Sequence, residues 1–192
     1  MNKLNELIDL LNELPGIGKK SAKRLAIKLI ESKDLTLDTL VKVIDNIKIL
    51  DVEKNTGLII ENGEITFNVN KPLMIVQNNL DAEAYRELFG DEFNYFNLNI
   101  NTIADISRSL VSSNKVEKLI EYIKLKEIKE LIFGLSPKRE SEIIINLLSN
   151  EIYKELRDIT ISKIATGVPV GGTIEHIDSK TMRKAVEKRE KI

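Results

Sequence analysis

From Leu4 the apolar positions Leu7, Ile8, Leu11 and Leu14 recur at helical spacing, and the pattern stops at Pro15-Gly16-Ile17-Gly18. A second apolar stripe, Ala22, Leu25, Ala26, Leu29 and Ile30, follows the break, while Lys19, Lys20, Lys23, Arg24 and Lys28 take much of the remaining surface. The pattern predicts two helices flanking a tight glycine hairpin. A third stripe, Leu37, Leu40, Val41, Ile44 and Ile47, predicts a further helix that completes a small all-helical unit over residues 1–50.

Between residues 51 and 71 the texture changes. Two β-rich runs, 57–60 and 65–69, flank Glu61-Asn62-Gly63-Glu64, and Asn-Gly is the strongest short hairpin signal, so a small β-hairpin connector is expected there. From Pro72 onward, strand-like runs at 73–76, 93–96, 130–135 and 159–164 alternate with helical stretches beginning near Asp81, Thr102, Lys115 and Lys138. Such alternation predicts a parallel sheet covered by helices over residues 72–165. Residues 166–192 hold a glycine-rich block and a tail helix capped by Asp178 or Ser179. The expected class is therefore α+β in several parts.

Composition narrows the chemistry. A chain of 192 residues buries a core large enough to need no disulfide or metal staple. Cysteine is absent, which removes thiol nucleophiles and every cysteine zinc site, and a single histidine leaves only carboxylate-rich metal sites. With 29 basic and 30 acidic residues, any affinity for nucleic acid must come from a local cluster rather than from the field of the whole molecule. No signal core follows a basic stretch at the N-terminus, and no apolar run reaches the roughly 20 residues of a spanning helix. The expectation is a soluble cytoplasmic protein with no membrane contact.

The basic cluster lies at the hairpin. Glycines at 16 and 18 let the backbone turn sharply and approach a ligand closely, since no Cβ intervenes. The exposed amides then sit at the positive end of the following helix, with Lys20 and Arg24 one turn apart on one face. This suits phosphate binding without base readout. The competing reading is a plain helix-turn-helix corner with solvated lysines. The second candidate, Ile164-Ala165-Thr166-Gly167-Val168-Pro169-Val170-Gly171-Gly172, is a rigid turn after a buried strand and contains neither a phosphate-binding P-loop nor a dinucleotide fingerprint.

The string LPGIGKKSAKRLA closely resembles the helix-hairpin-helix of the RecR recombination mediators, which typically reads LPGVGPKSAQRLA. The C-terminal block resembles the family's IAxGVPVGGELEYxDxxTLxxAxxxR, with Thr181, Met182, Ala185 and Arg189 at matching intervals. The resemblance implies a helix-hairpin-helix DNA-binding domain over 1–50, a zinc-finger segment over 51–71, an α/β Toprim domain over 72–165 and a C-terminal tail over 166–192. It also implies ring-like homotetramers that encircle DNA, single- or double-stranded. Implied with them are work with RecO, and with RecF in some cases, to load recombinase on single-stranded DNA, and a place in the bacterial cytoplasm at the nucleoid. Gly16, Gly18, Lys19, Lys20, Lys23 and Arg24 form the expected DNA-binding set, in which Lys20 and Arg24 match the family's basic residues. Glu140 and Glu142 match an acidic pair expected to meet a partner.

Two departures stand out. The family's four zinc cysteines have no counterpart, so no zinc or other cofactor is expected, and the hairpin is expected to keep its shape without metal. Catalytic Toprim relatives hold magnesium with a glutamate after the first strand and a DxD pair later; here Gln77 and Gly134-Leu135-Ser136 stand instead. A binding protein without catalytic residues is therefore expected, the alternative being a magnesium-dependent nuclease or primase using Glu140 and Glu142. His176, with no second ligand or nucleophile nearby in sequence, is expected in surface or interface packing.

Overall fold

The computed structural model describes residues 2–32, 37–61, 63, 65, 67–100, 115–165 and 173–191. The chain divides into two compact units, Met1–Leu50 and Asp51–Ile192. The glycine-rich stretch 166–172, Asn62 and Glu64 of the expected hairpin tip, and the helix expected near Thr102 lie outside the described residues.

In the first unit, α1 (Lys3–Glu13) and α2 (Lys19–Glu31) pack against each other. Asn2 caps α1 by accepting from the Leu4 amide at 3.2 Å. The core is small: Ile8, Ala22 and Ala26 are buried, with Leu4, Leu7, Leu11 and Ile17 packed around them. Two alanines one turn apart let the helices approach closely. Leu25 and Ile30, expected in the stripe, are instead exposed, because the alanines alone form the contact face. The third helix, α3 (Asp38–Asn46), forms where expected, but none of its residues is buried: Leu40, Val41 and Ile44 stay exposed, as does Ile47 just beyond its end. Its periodicity is helical, yet it adds nothing to the core.

A small hairpin follows, β1 (Leu50–Val52) against β2 (Ile59–Glu61). Its turn is at 53–58, Asn62 of the expected Asn-Gly turn lies outside the described residues, and residues 67–68 form no strand. The side chain of Glu53 organises the turn at 53–58, accepting from the Asn55 and Thr56 amides.

A five-stranded sheet follows in the order β4-β3-β5-β6-β7, built from β3 (Leu73–Val76), β4 (Asn94–Asn97), β5 (Glu130–Phe133), β6 (Thr160–Lys163) and β7 (Glu190–Lys191). The first four are parallel, as the alternating pattern predicts, and β7 adds an antiparallel edge. Successive strand residues point to opposite faces. Leu73, Ile75, Leu131 and Phe133 join Leu119, Ile123, Leu148 and Ile152 of α5 (Lys115–Leu125) and α6 (Arg139–Glu155). Met74, Val76 and Ile132 join Ala82, Tyr85 and Phe89 of α4 (Asn79–Phe89) and Met182 and Val186 of α7 (Ser179–Glu187). Asp178 caps α7, accepting from the Lys180 and Thr181 amides. Arg189 then pairs with Glu130 at 2.7 Å and ties the tail to β5.

Gly134, immediately after β5, is sealed beneath α4. A Cβ there would lie 2.9 Å from Tyr85 Cε2 and 3.1 Å from Met74 Cγ, both fully buried, while the Tyr85 hydroxyl donates to the Gly134 carbonyl at 3.2 Å. Overpacking of this kind costs about 1–3 kcal/mol. Gly134→Ala is expected to lower the urea midpoint of the second unit by a corresponding amount, followed by tyrosine fluorescence, since all four tyrosines lie in that unit. An unaltered midpoint would show that the layer yields freely.

Candidate nucleic-acid interface

The hairpin between α1 and α2 is built by proline and glycine. Leu14 is extended, as the residue before a proline must be, and Gly16 takes φ +81° while the Ile17 amide donates to the Leu14 carbonyl at 3.1 Å. This is a type II turn, whose third position strongly favours glycine. Gly18 is the N-cap of α2, at φ −75° and ψ 160°, and its carbonyl accepts from the Ala22 amide at 2.9 Å. It brings no side chain to the helix start, and the first turn of α2 holds no acidic residue. The leading amides are thus left without a side-chain acceptor at the positive end of the helix.

Lys19, Lys20, Lys23 and Arg24 are all exposed, and among the described residues no ion pair engages them. Lys20, Lys23 and Arg24 line one shallow groove of about 380 Å³ together with Ile27, Lys28 and Glu31. Lys28 is held by Glu31 at 3.5 Å. Lys19 does not line the groove. Among the described residues, a Cβ at Gly16 or Gly18 would meet nothing within 4 Å.

Glu140 and Glu142, in the first turn of α6, are not equivalent. Both Glu142 oxygens lie 3.1 Å from the Lys163 ammonium on β6, so this carboxylate is neutralised within the fold. Glu140 is half-buried without an ion pair among the described residues. Exposed His176 lies 3.7 Å from Glu175.

The carboxyl ends of β3 and β5 mark the point where strand order reverses, the usual ligand crevice of such sheets. Gln77 sits there, and its backbone amide favours the ionised form of the Asp81 carboxylate. Asp81 is 4 % exposed, and its Oδ2 has no partner among the described residues. Burial first, and then the charge of Glu175, push its pKa up to about 6, against the opposing pull of the Gln77 amide and Lys138. The sequence marks Asp81 only as a helix start; the Asn78-to-Asp81 spacing, in which Asn78 accepts from the Asp81 amide at 2.9 Å, is the available signal.

Fold and site define a helix-hairpin-helix protein carrying an α/β domain. Residues 4–48 match the family model described as RecR, helix-hairpin-helix, and residues 167–190 match RecR, C-terminal. The chain is 33% identical over 199 residues to the recombination protein RecR of Francisella tularensis subsp. tularensis, covering 99% of this chain and 96% of that one. It is 32% identical to that of Francisella philomiragia, with the same coverage, and 29% identical to that of Bifidobacterium adolescentis, covering 97% and 94%. The chain belongs to the RecR family of recombination proteins, which supports a role in recombinational repair. No helix among the described residues is long and apolar enough to cross a membrane.

The buried acid sets a pH dependence. Its folded pKa lies above the ordinary 3.8, so the folded state binds the extra proton and is penalised as pH rises through 4 to 6, the full penalty remaining above that window. Asp81→Asn is expected to stabilise the second unit at pH 7.5 by on the order of 1–3 kcal/mol and to flatten the stability profile between pH 4 and 6. A variant less stable at pH 7.5 than at pH 4.5, like the parent, would refute this assignment.

Proposed function

We propose that the chain is a non-enzymatic recombination mediator that grips DNA phosphates at the start of α2. The observation that carries this reading is Gly18. Its backbone angles suit any residue and none of the described residues crowds its Cβ position, so neither strain nor packing among them calls for glycine. Close approach of an outside ligand does, and the uncapped amides beside it favour an anion. Lys20, Lys23 and Arg24 extend the contact along the groove, so a backbone is held without bases being read.

The α/β domain is read as a Toprim domain without catalytic function. Gln77 supplies no charge where a metal-binding glutamate would stand, and Glu142 is occupied by Lys163. The alternative, a magnesium-dependent nuclease or primase, needs free carboxylates that converge. Affinity is supplied largely by avidity in a ring-like homotetramer, because one subunit offers few phosphate contacts and a balanced net charge. Loading of recombinase with RecO, and with RecF where it is used, completes the reading; Glu140 is the freer of the two acidic residues for such a partner.

The test is a joint replacement of Lys20 and Arg24 by alanine. DNA affinity is expected to fall similarly for unrelated sequences, and the slope of log affinity against log salt to flatten by roughly one unit for each phosphate that is no longer neutralised. Unchanged binding would remove the clamp from α2. In parallel, labelled single- and double-stranded DNA incubated with the protein and Mg²⁺ is expected to remain intact; cleavage abolished by Glu140→Ala would instead establish the enzymatic reading.

A further inference from the structure

The zinc finger that family resemblance implies for residues 51–71 does not fit the side chains present. There is no thiolate, and among the described residues no group of three or more potential ligands converges. What occupies the turn is the carboxylate of Glu53. Its Oε1 accepts from the Asn55 amide at 3.0 Å and from Asn55 Nδ2 at 2.9 Å. Its Oε2 accepts from the Thr56 amide at 2.6 Å and from the Thr56 hydroxyl at 2.7 Å. The same residue's amide donates to the Leu58 carbonyl, and its carbonyl accepts from the Gly57 amide, both at 2.8 Å. Six hydrogen bonds therefore converge on one residue, four of them on charge, and a charged acceptor strengthens each.

The turn so held is docked, not free. The Thr56 carbonyl accepts from the Asn97 amide at 2.7 Å on the outer edge of β4. The Gly57 carbonyl accepts from Asn97 Nδ2 at 2.9 Å and Asn79 Nδ2 at 3.2 Å. Thr56 and Leu58 are each 1 % exposed. Gly57 takes φ +68° and would place a Cβ 3.0 Å from the Asn97 carbonyl, so the approach requires glycine. The turn thus covers part of an edge strand that otherwise offers open backbone groups to another chain.

We propose that the Glu53 carboxylate holds this turn in place of a metal ion, and that the sealed edge of β4 depends on its charge. Local order is then insensitive to chelators but sensitive to acid. Burial, the largest single influence, pushes the Glu53 pKa up, while the Thr56 and Asn55 donors together bring it below the ordinary 4.5. Its stabilising contribution is present above that value and is lost as pH falls through the lower, folded one.

The test is peptide-resolved hydrogen exchange on the full chain, corrected for intrinsic rates. Prolonged treatment with excess chelator is expected to leave the protection of residues 53–61 and 94–97 unchanged. Glu53→Ala is expected to speed exchange there by roughly tenfold or more, as removal of charge-assisted bonds implies, while β5 keeps its protection. Should Glu53→Ala fail to fold, Glu53→Gln retains the shape of the side chain without charge; it is expected to exchange faster at neutral pH and to lose the acid-dependent loosening. The proposal is overturned by stoichiometric tightly bound zinc whose removal exposes these peptides. Parental protection in either variant overturns it equally.

Discussion

The sheet of the second unit is covered on both faces, and most of the architecture follows from that constraint. Every residue of β3 is buried, and its alternate side chains enter two separate cores, Leu73 and Ile75 on one side, Met74 and Val76 on the other. A strand of this kind requires helices above and below, which parallel crossovers supply. The sheet therefore leaves only its edges and the ends of its strands uncovered by those helices. The edges are dealt with individually: residues 53–58 cover part of β4, and β7 covers β6.

Legibility in the sequence followed the same division. Buried strands and amphipathic helices announce themselves by period, and β3, β4, β5 and β6 lie where the apolar runs place them. Period does not say what a face meets. The stripe of α3 is regular, yet Leu40, Val41 and Ile44 are exposed, and in α2 the alanines rather than Leu25 and Ile30 form the core. Nor does period find a two-residue edge strand such as β7. The turn at 53–58 shows a different limit: it forms where one carboxylate collects donors from two neighbouring residues. Side-chain networks of that sort leave no repeat in the chain.

The candidate DNA-binding residues were legible for a physical reason. Gly16 and Gly18 do distinct work, one required by φ +81°, the other left open to an outside ligand, and both are visible as letters. Asp81 was not visible in this way, because what distinguishes it is burial and an unpartnered oxygen, which depend on elements far apart in the chain.

Charge is balanced in number but not in availability. Asp81 is buried and its pKa raised, Glu142 faces Lys163, Glu53 is surrounded by donors, and Glu130 holds Arg189. On α2 five basic residues face Glu31 alone, and Glu31 engages only Lys28 among them. An anion approaching this helix meets unpaired cations and uncapped amides, whereas a divalent cation approaching the strand ends meets an amide at Gln77 and an acid already disposed to take a proton. A balanced net charge therefore conceals a local surplus of unpaired cations on α2, set by the placement of a few partners rather than by any excess of charge.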